Sequence, residues 1–214
     1  MPMRVTKLEH STLRIDQAGK TLFLDPGALT TAITETGNTV AIVITHEHPD
    51  HWSEEQLNRI LANNPDAKIY GPEGVALAAS GFDVQVVAPG DTVTIEPFTL
   101  RFFGGRHAVI HPSIPVIDNV GVLINDALYY PGDSFSIPED VKIDTLATPA
   151  SAPWLKISEV MDFVTAVAPA RTFPMHDMPL SQIGKNLHYA RIKDVTEAAG
   201  GEFFPLQPGE TIDL

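Results

Sequence analysis

Four side chains able to bind a metal, His46, His48, Asp50 and His51, fall within six residues in the segment HEHPDH, directly after the apolar run VAIVIT from Val40 to Thr45. An apolar run of that length, ended by a polar loop, reads as a buried strand, and such a strand fixes the backbone while the loop lets side chains converge. His46 and His48 are two residues apart, so in extended backbone their imidazoles project to one side and can grip one ion, leaving Asp50 and His51 to face a second. Taken singly, each residue has an ordinary explanation, since loop histidines are often solvated and an Asp-His pair can simply start a helix. Packed together they would repel on protonation and add little to a core, so the segment points to a metal site.

The chain has no cysteine, which excludes disulfides and thiolate ligands and leaves nitrogen and oxygen donors for borderline to hard ions such as zinc, manganese or iron. Its 214 residues suit one α/β domain, 1–214, with no linker or low-complexity tract to divide it. With 27 acidic against 14 basic residues the net charge is −13, so nucleic acid and anionic membranes are repelled on average. Arg101, Arg106, Lys156, Lys185 and Arg191 could still gather to hold one anionic group of a small substrate, though scattered solvated charges explain most of them. The opening MPMRVTKLEH lacks the apolar stretch of a signal peptide and no run is long enough to span a bilayer, so a cytoplasmic location is expected.

Strands are expected at RVTKLEH, STLRIDQ and KTLFLDPG, with a turn at Ala18-Gly19. Ser53-Glu54-Glu55-Gln56 reads as a capping box opening a helix to about Ala62, stopped at Asn63-Asn64-Pro65. A short strand KIYG, a small helix from Pro72 to Ser80 and DVQVVA follow, then a hairpin of DTVTIE and FTLRFFGG. In the second half NVGVLIN and ALYYPGD form a hairpin around Asn125-Asp126; KIDTLATP is a buried strand and SEVMDFVTAVAP a helix. RTFPMHD, a last helix from about Leu187 to Ala199, a turn at Gly200-Gly201 and a strand EFFPL close the chain.

His-x-His-x-Asp-His after a buried strand resembles the signature of the metallo-β-lactamase superfamily. The further ligand positions of that family recur in order: His107 in GGRHA, Asp133 in YYPGDS and His176 in FPMHD, each where a strand gives way to a loop. The resemblance implies an α/β, four-layered αβ/βα sandwich, with two mixed β-sheets flanked by helices. It implies that His46, His48 and His107 hold one divalent ion, that Asp50, His51 and His176 hold another, and that Asp133 bridges the two. Zinc is the first expectation, with manganese or iron as alternatives. Asp25, in LDPG, matches an acidic residue that supports the histidine loop from beneath, although a plain Asp-Pro-Gly turn explains it almost as well.

His111, four residues after His107, is the rival third ligand, and the Gly-Gly-x-His-Ala context favours His107. His10 could line the cleft, against a surface or core role; His188, at the start of the last helix, could protonate a leaving group or bind an anion, against plain exposure. Trp52, Trp154 and Phe135 could wall the pocket or be ordinary core, and Arg106 is a candidate pocket cation. The segments GGRHAVIHPSIP, NVGVLI and YYPGDS most resemble the compact branch that contains ascorbate-6-phosphate lactonase. The implied activity is hydrolysis of a small ester or lactone, phosphorylated or not, by a metal-bridging hydroxide, with Asp50 and Asp133 as catalytic residues. A phosphodiesterase for a small nucleotide or lipid headgroup is the second reading, and a non-catalytic metal-binding scaffold the third. A small molecule is the expected partner, and assembly into a homo-oligomer is left open.

Overall fold

A computed structural model describes residues 2–214. The apolar runs fold as two seven-stranded mixed sheets laid face to face. The first contains β1 (Arg4–Lys7), β2 (Leu13–Gln17), β3 (Lys20–Leu24), β4 (Thr39–Val43), β5 (Lys68–Gly71) and β6 (Val84–Val86), with the last strand, β14 (Thr211–Asp213), paired to β1. The second runs β13 (Glu202–Phe203), β12 (Arg171–Met175), β11 (Thr145–Pro149), β10 (Leu128–Tyr130), β9 (Asp118–Ile124), β8 (Phe98–Arg106) and β7 (Thr92–Ile95). Strands β1 to β3 and β7 to β10 pair antiparallel, β3 to β6 and β10 to β13 pair parallel, and β14, returning from the second sheet, pairs antiparallel with β1.

The period-2 geometry of a strand explains why the runs are apolar on both faces. Leu22 and Leu24 of β3, and Ala41 and Val43 of β4, point into the centre against Phe98, Leu100, Phe102, Val120, Val122 and Ile124 of the second sheet. Their neighbours Phe23 and Ile42 point outwards, where α1 (Glu54–Asn63) and α2 (Glu73–Ala78) cover them with Leu57, Ile60 and Val75. On the far side α3 (Ile157–Val167) and α4 (Gln182–Ala198) lay Val160, Phe163, Val164, Tyr189 and Ile192 over Leu123, Tyr129 and Leu146. This is the expected αβ/βα sandwich, with one layer of helix on each outer face. None of the helices among the described residues is long and apolar enough to cross a membrane.

Three local expectations change. Only half of the box at Ser53 forms: the Ser53 hydroxyl accepts the Gln56 N–H at 3.3 Å, while the Gln56 amide reaches Thr30 and Thr31 carbonyls and accepts from Ile33, tying α1 to the 28–36 loop. Helix α4 begins at Gln182, capped by Ser181, rather than near Leu187, because its first turns are largely exposed and show no apolar stripe to read. His188 therefore lies well inside the helix. The strand β14, in TIDL, is too short to show a period and forms because the β1 edge offers it a ladder.

Candidate metal centre

All of the expected ligands sit just beyond strand ends. Strand β4 delivers the 45–51 loop, β8 delivers His107, β10 is followed by Asp133, and β12 ends one residue before His176. The 46–51 loop can lie close to the preceding turn only because residue 27 is glycine, where a Cβ would overlap the carbonyl of Asp50. Gly132, with φ +62°, makes the turn into Asp133 and leaves room for Asn119 and Thr45. Asn119 then accepts the Asp133 backbone N–H at 3.0 Å, and the Asp133 carbonyl accepts the N–H of Ala108 at 2.8 Å, so two ligand loops are stitched together.

The donor atoms converge as three trios: His46, His48 and His107; His46, His51 and Asp133; and Asp50 and His176 with His10. The Nε2 of His46 and Nδ1 of His48 are 3.1 Å apart, and His107 completes that trio. Asp133 Oδ2 lies 3.5 Å from His107 Nε2 and 3.4 Å from His176 Nε2, while Oδ1 lies 3.3 Å from His51 Nε2. Asp50 Oδ2 is 3.2 Å from His176 Nε2 and 3.9 Å from His51 Nε2. Ligand atoms about 2.0–2.2 Å from a common ion stand 3 to 4 Å from one another, so these separations fit bound metal.

Hydrogen bonding and charge agree with that fit. His51 Nε2, His107 Nε2, His176 Nε2 and Asp133 Oδ1 are buried with no hydrogen-bond partner, a costly condition that bound cations would relieve. The opposite ring nitrogens are all engaged: His51 Nδ1 with Asp25 at 2.6 Å, His107 Nδ1 with the Ala108 carbonyl at 2.6 Å, and His176 Nδ1 with the Ser151 carbonyl. That arrangement fixes each tautomer with Nε2 bare and turned into the centre. Burial pushes the Asp133 carboxyl up, yet His176 and His51 outweigh it and hold it well below the usual carboxylate range. Burial pushes the His51 imidazole down, yet Asp133 and Asp25 outweigh it and draw positive charge to this spot.

Asp25 is the support beneath the loop: it accepts the Thr45 N–H and hydroxyl, both at 2.7 Å, as well as His51. Trp154 is almost buried, and its indole N–H donates to Asp133 Oδ2 at 2.9 Å while its ring meets His107 and Phe135 edge-on. Phe135 continues into the contact with Phe163 under α3. Trp52, by contrast, packs against the core beneath α1, with its N–H on the Glu47 carbonyl, because the start of α1 turns it away from the mouth. His111 is exposed and bonds Ser113, so the structure brings His107 to the centre and leaves His111 outside. Arg106 is exposed, with its guanidinium on the Val116 carbonyl, and His188 Nδ1 bonds the Ala150 carbonyl, bracing the loop that carries Trp154. His10 is buried against Asp50 and His176.

One group escaped the sequence reading. Lys7, fully buried, pairs with Asp177 at 2.6 Å directly behind His176, and Tyr189 and Lys185 also reach Asp177. Burial pulls the Lys7 ammonium below its ordinary value, while Lys7, Tyr189 and Lys185 overcome the burial of Asp177 and hold its carboxyl low. The available signal was the alternation of β1, which puts Lys7 on the same inward face as Val5.

A sequence model described as a β-lactamase superfamily domain matches residues 4–176. The protein Rv0786c of Mycobacterium tuberculosis is 39% identical over 199 residues, covering 91% of this chain and 93% of its own. Among solved structures, Igni18, a metallo hydrolase from Ignicoccus hospitalis, superposes with a TM-score of 0.75 at 19% identity, covering 100% of this chain and 99% of its own. The metallo-β-lactamase fold protein YhfI from Bacillus subtilis gives 0.73 at 16% identity, with both chains covered in full. With that match spanning the loops that bring His46, His48, Asp50, His51, His107, Asp133 and His176 together, the chain belongs to the metallo-β-lactamase superfamily of metal-dependent hydrolases.

Proposed function

We propose that the chain is a dinuclear hydrolase of small esters or lactones, with zinc as the first candidate metal. The observation that supports this most is the placement of Asp133, one oxygen turned to His51 and the other to His107 and His176, as a carboxylate shared by two ions must be. Two divalent ions held there supply Lewis acidity and a water whose pKa falls to about 7. The protein's own part is orientation and charge. Asp133 stays anionic and is fixed by the Trp154 N–H and its own backbone bonds. Asp50, whose side chain is 28% exposed, is the site carboxylate open to solvent and so can accept a hydrogen bond from the attacking water.

The surroundings favour an uncharged carbonyl substrate over a phosphodiester. Val109 and Ile114, on the loop after His107, and Met178, two residues after His176, present exposed apolar side chains. Lys7 and Lys185 are engaged by Asp177, and Arg106 rests on a carbonyl. The test is elemental analysis of gently purified protein, followed by turnover of lactone, ester and aryl phosphodiester panels by the metallated form. About two ions per chain and turnover of lactones or esters is the expected result. Full metal content and activity in Asp133→Ala would overturn the bridging role, and turnover of phosphodiesters alone would replace the substrate class.

A further inference from the structure

His10 lies on the turn between β1 and β2, outside the four loops that bring the seven donors together. Its side chain is only 1% exposed, its Nε2 stands 3.1 Å from Asp50 Oδ2, and its ring centroid is 3.9 Å from that of His176. The turn is fastened on every side. The His10 carbonyl accepts the His176 N–H at 2.8 Å, Ser11 Oγ donates to the Asp50 carbonyl, the Ser11 carbonyl accepts the Tyr130 hydroxyl at 2.9 Å, and Thr12 Oγ1 donates to the Asp25 carbonyl at 2.7 Å. These bonds give the imidazole one place in the molecule.

The hydrogen bonding of His10 is the reverse of that in the buried donors. His51, His107 and His176 are engaged at Nδ1 and bare at Nε2, whereas His10 is engaged at Nε2 and its buried Nδ1 has no partner. A proton on Nδ1 would be a buried donor without an acceptor, so the neutral ring carries its proton on Nε2 and donates to Asp50. Asp50 is also freer than the other donors around the second position. Its side chain is 28% exposed, against 0% for His51 and 5% for both Asp133 and His176.

We propose that His10 is a positioning residue, whose Nε2–H clamps the Asp50 carboxylate with Oδ2 turned towards His176 and His51, ready for the second ion. The inference rests on the dinuclear reading above. Its readout is metal binding, which needs no substrate. Apo-protein titrated with Co(II), followed by visible absorption, and dialysis against Zn(II), followed by elemental analysis, report both sites. His10→Ala is expected to keep the first ion and bind the second about 10- to 100-fold more weakly. His10→Gln, whose amide N–H reaches the position of Nε2, is expected to restore the wild-type second-site affinity and cobalt spectrum. If His10→Ala is unfolded before metal is added, His10→Asn, whose amide stops short of Asp50, takes its place.

Unchanged affinities in His10→Ala would overturn the proposal. So would a His10→Gln as weak as His10→Ala with an altered cobalt spectrum, which would make His10 a ligand itself. Wild-type protein that holds two ions but turns over none of the panels removes the hydrolase reading and leaves this one to the binding data. Wild-type protein that holds one ion removes the dinuclear reading and the clamp with it.

Discussion

Around His46, His48 and His107 the supports are neutral and close in sequence: Thr45 Oγ1 meets His46 Nδ1 at 3.1 Å, and His107 leans on the carbonyl of the next residue. Around Asp50, His51 and His176 buried charges join the neutral supports, and they are brought in from distant parts of the sequence. Asp25 lies beneath His51, and the Lys7–Asp177 pair lies behind His176. A neutral local contact costs little to form and little to lose. A buried charge holds its partner's direction firmly, but removing one member strands the other in a medium that cannot solvate it. The second side of the centre is therefore the more exactingly built and the more easily damaged.

The largest expected break is Asp177→Asn, which leaves the fully buried Lys7 without a counter-charge. A loss of about 3–5 kcal/mol in unfolding free energy is expected by chemical denaturation. A loss below 1 kcal/mol would show that the pair is not a determinant of that side. Chelation comes next. On the dinuclear reading, removing the ion near Asp50 alone should lower stability by about 2.7 kcal/mol if its site is filled at a hundred times its Kd, read as a fall in Tm. The ion near Asp50 should leave first; simultaneous loss would erase the contrast between the sides.

Asp25→Asn is expected to weaken the second ion about 10- to 100-fold, because His51 loses its anionic partner, while the first ion holds. Elemental analysis after dialysis against graded chelator distinguishes the two. Thr45→Val should have the smallest effect, about 1–2 kcal/mol by thermal unfolding, since it removes one hydroxyl between Asp25 and His46 and leaves the carboxylate in place. A larger effect there than in Asp25→Asn would reverse the comparison.

The cluster from His46 to His51 stood out as a local pattern, an apolar run and then histidines and an aspartate, whereas His107, Asp133 and His176 were picked out by the family resemblance. The two sheets were legible from local pattern too, since Leu22, Phe23 and Leu24 announce a strand buried on both faces. The supports were legible only where they stood beside a motif, as with Asp25 in LDPG. Lys7 and Asp177 are 170 residues apart and meet only because β1 and β12 belong to facing sheets, and nothing in either local sequence states that pairing. His188 was misplaced along α4 because a helix with a weak apolar stripe hides its own start. Trp52 and Trp154 looked alike in sequence, yet one indole braces a loop carbonyl and the other a ligand, a choice made by backbone direction.

The pairing of β14 with β1 has a consequence for the timing of synthesis. The 46–51 loop leaves the ribosome more than a hundred residues before His176, and the strand that borders β1 follows later still. Four metal-binding side chains are thus offered to the cell's ion pool while the remaining donors, and the edge that steadies the β1–β2 turn, are still being translated. An ion captured early would meet half a site, and the full set of donors is on offer only once β12 has delivered His176 and β14 has closed the edge of the first sheet.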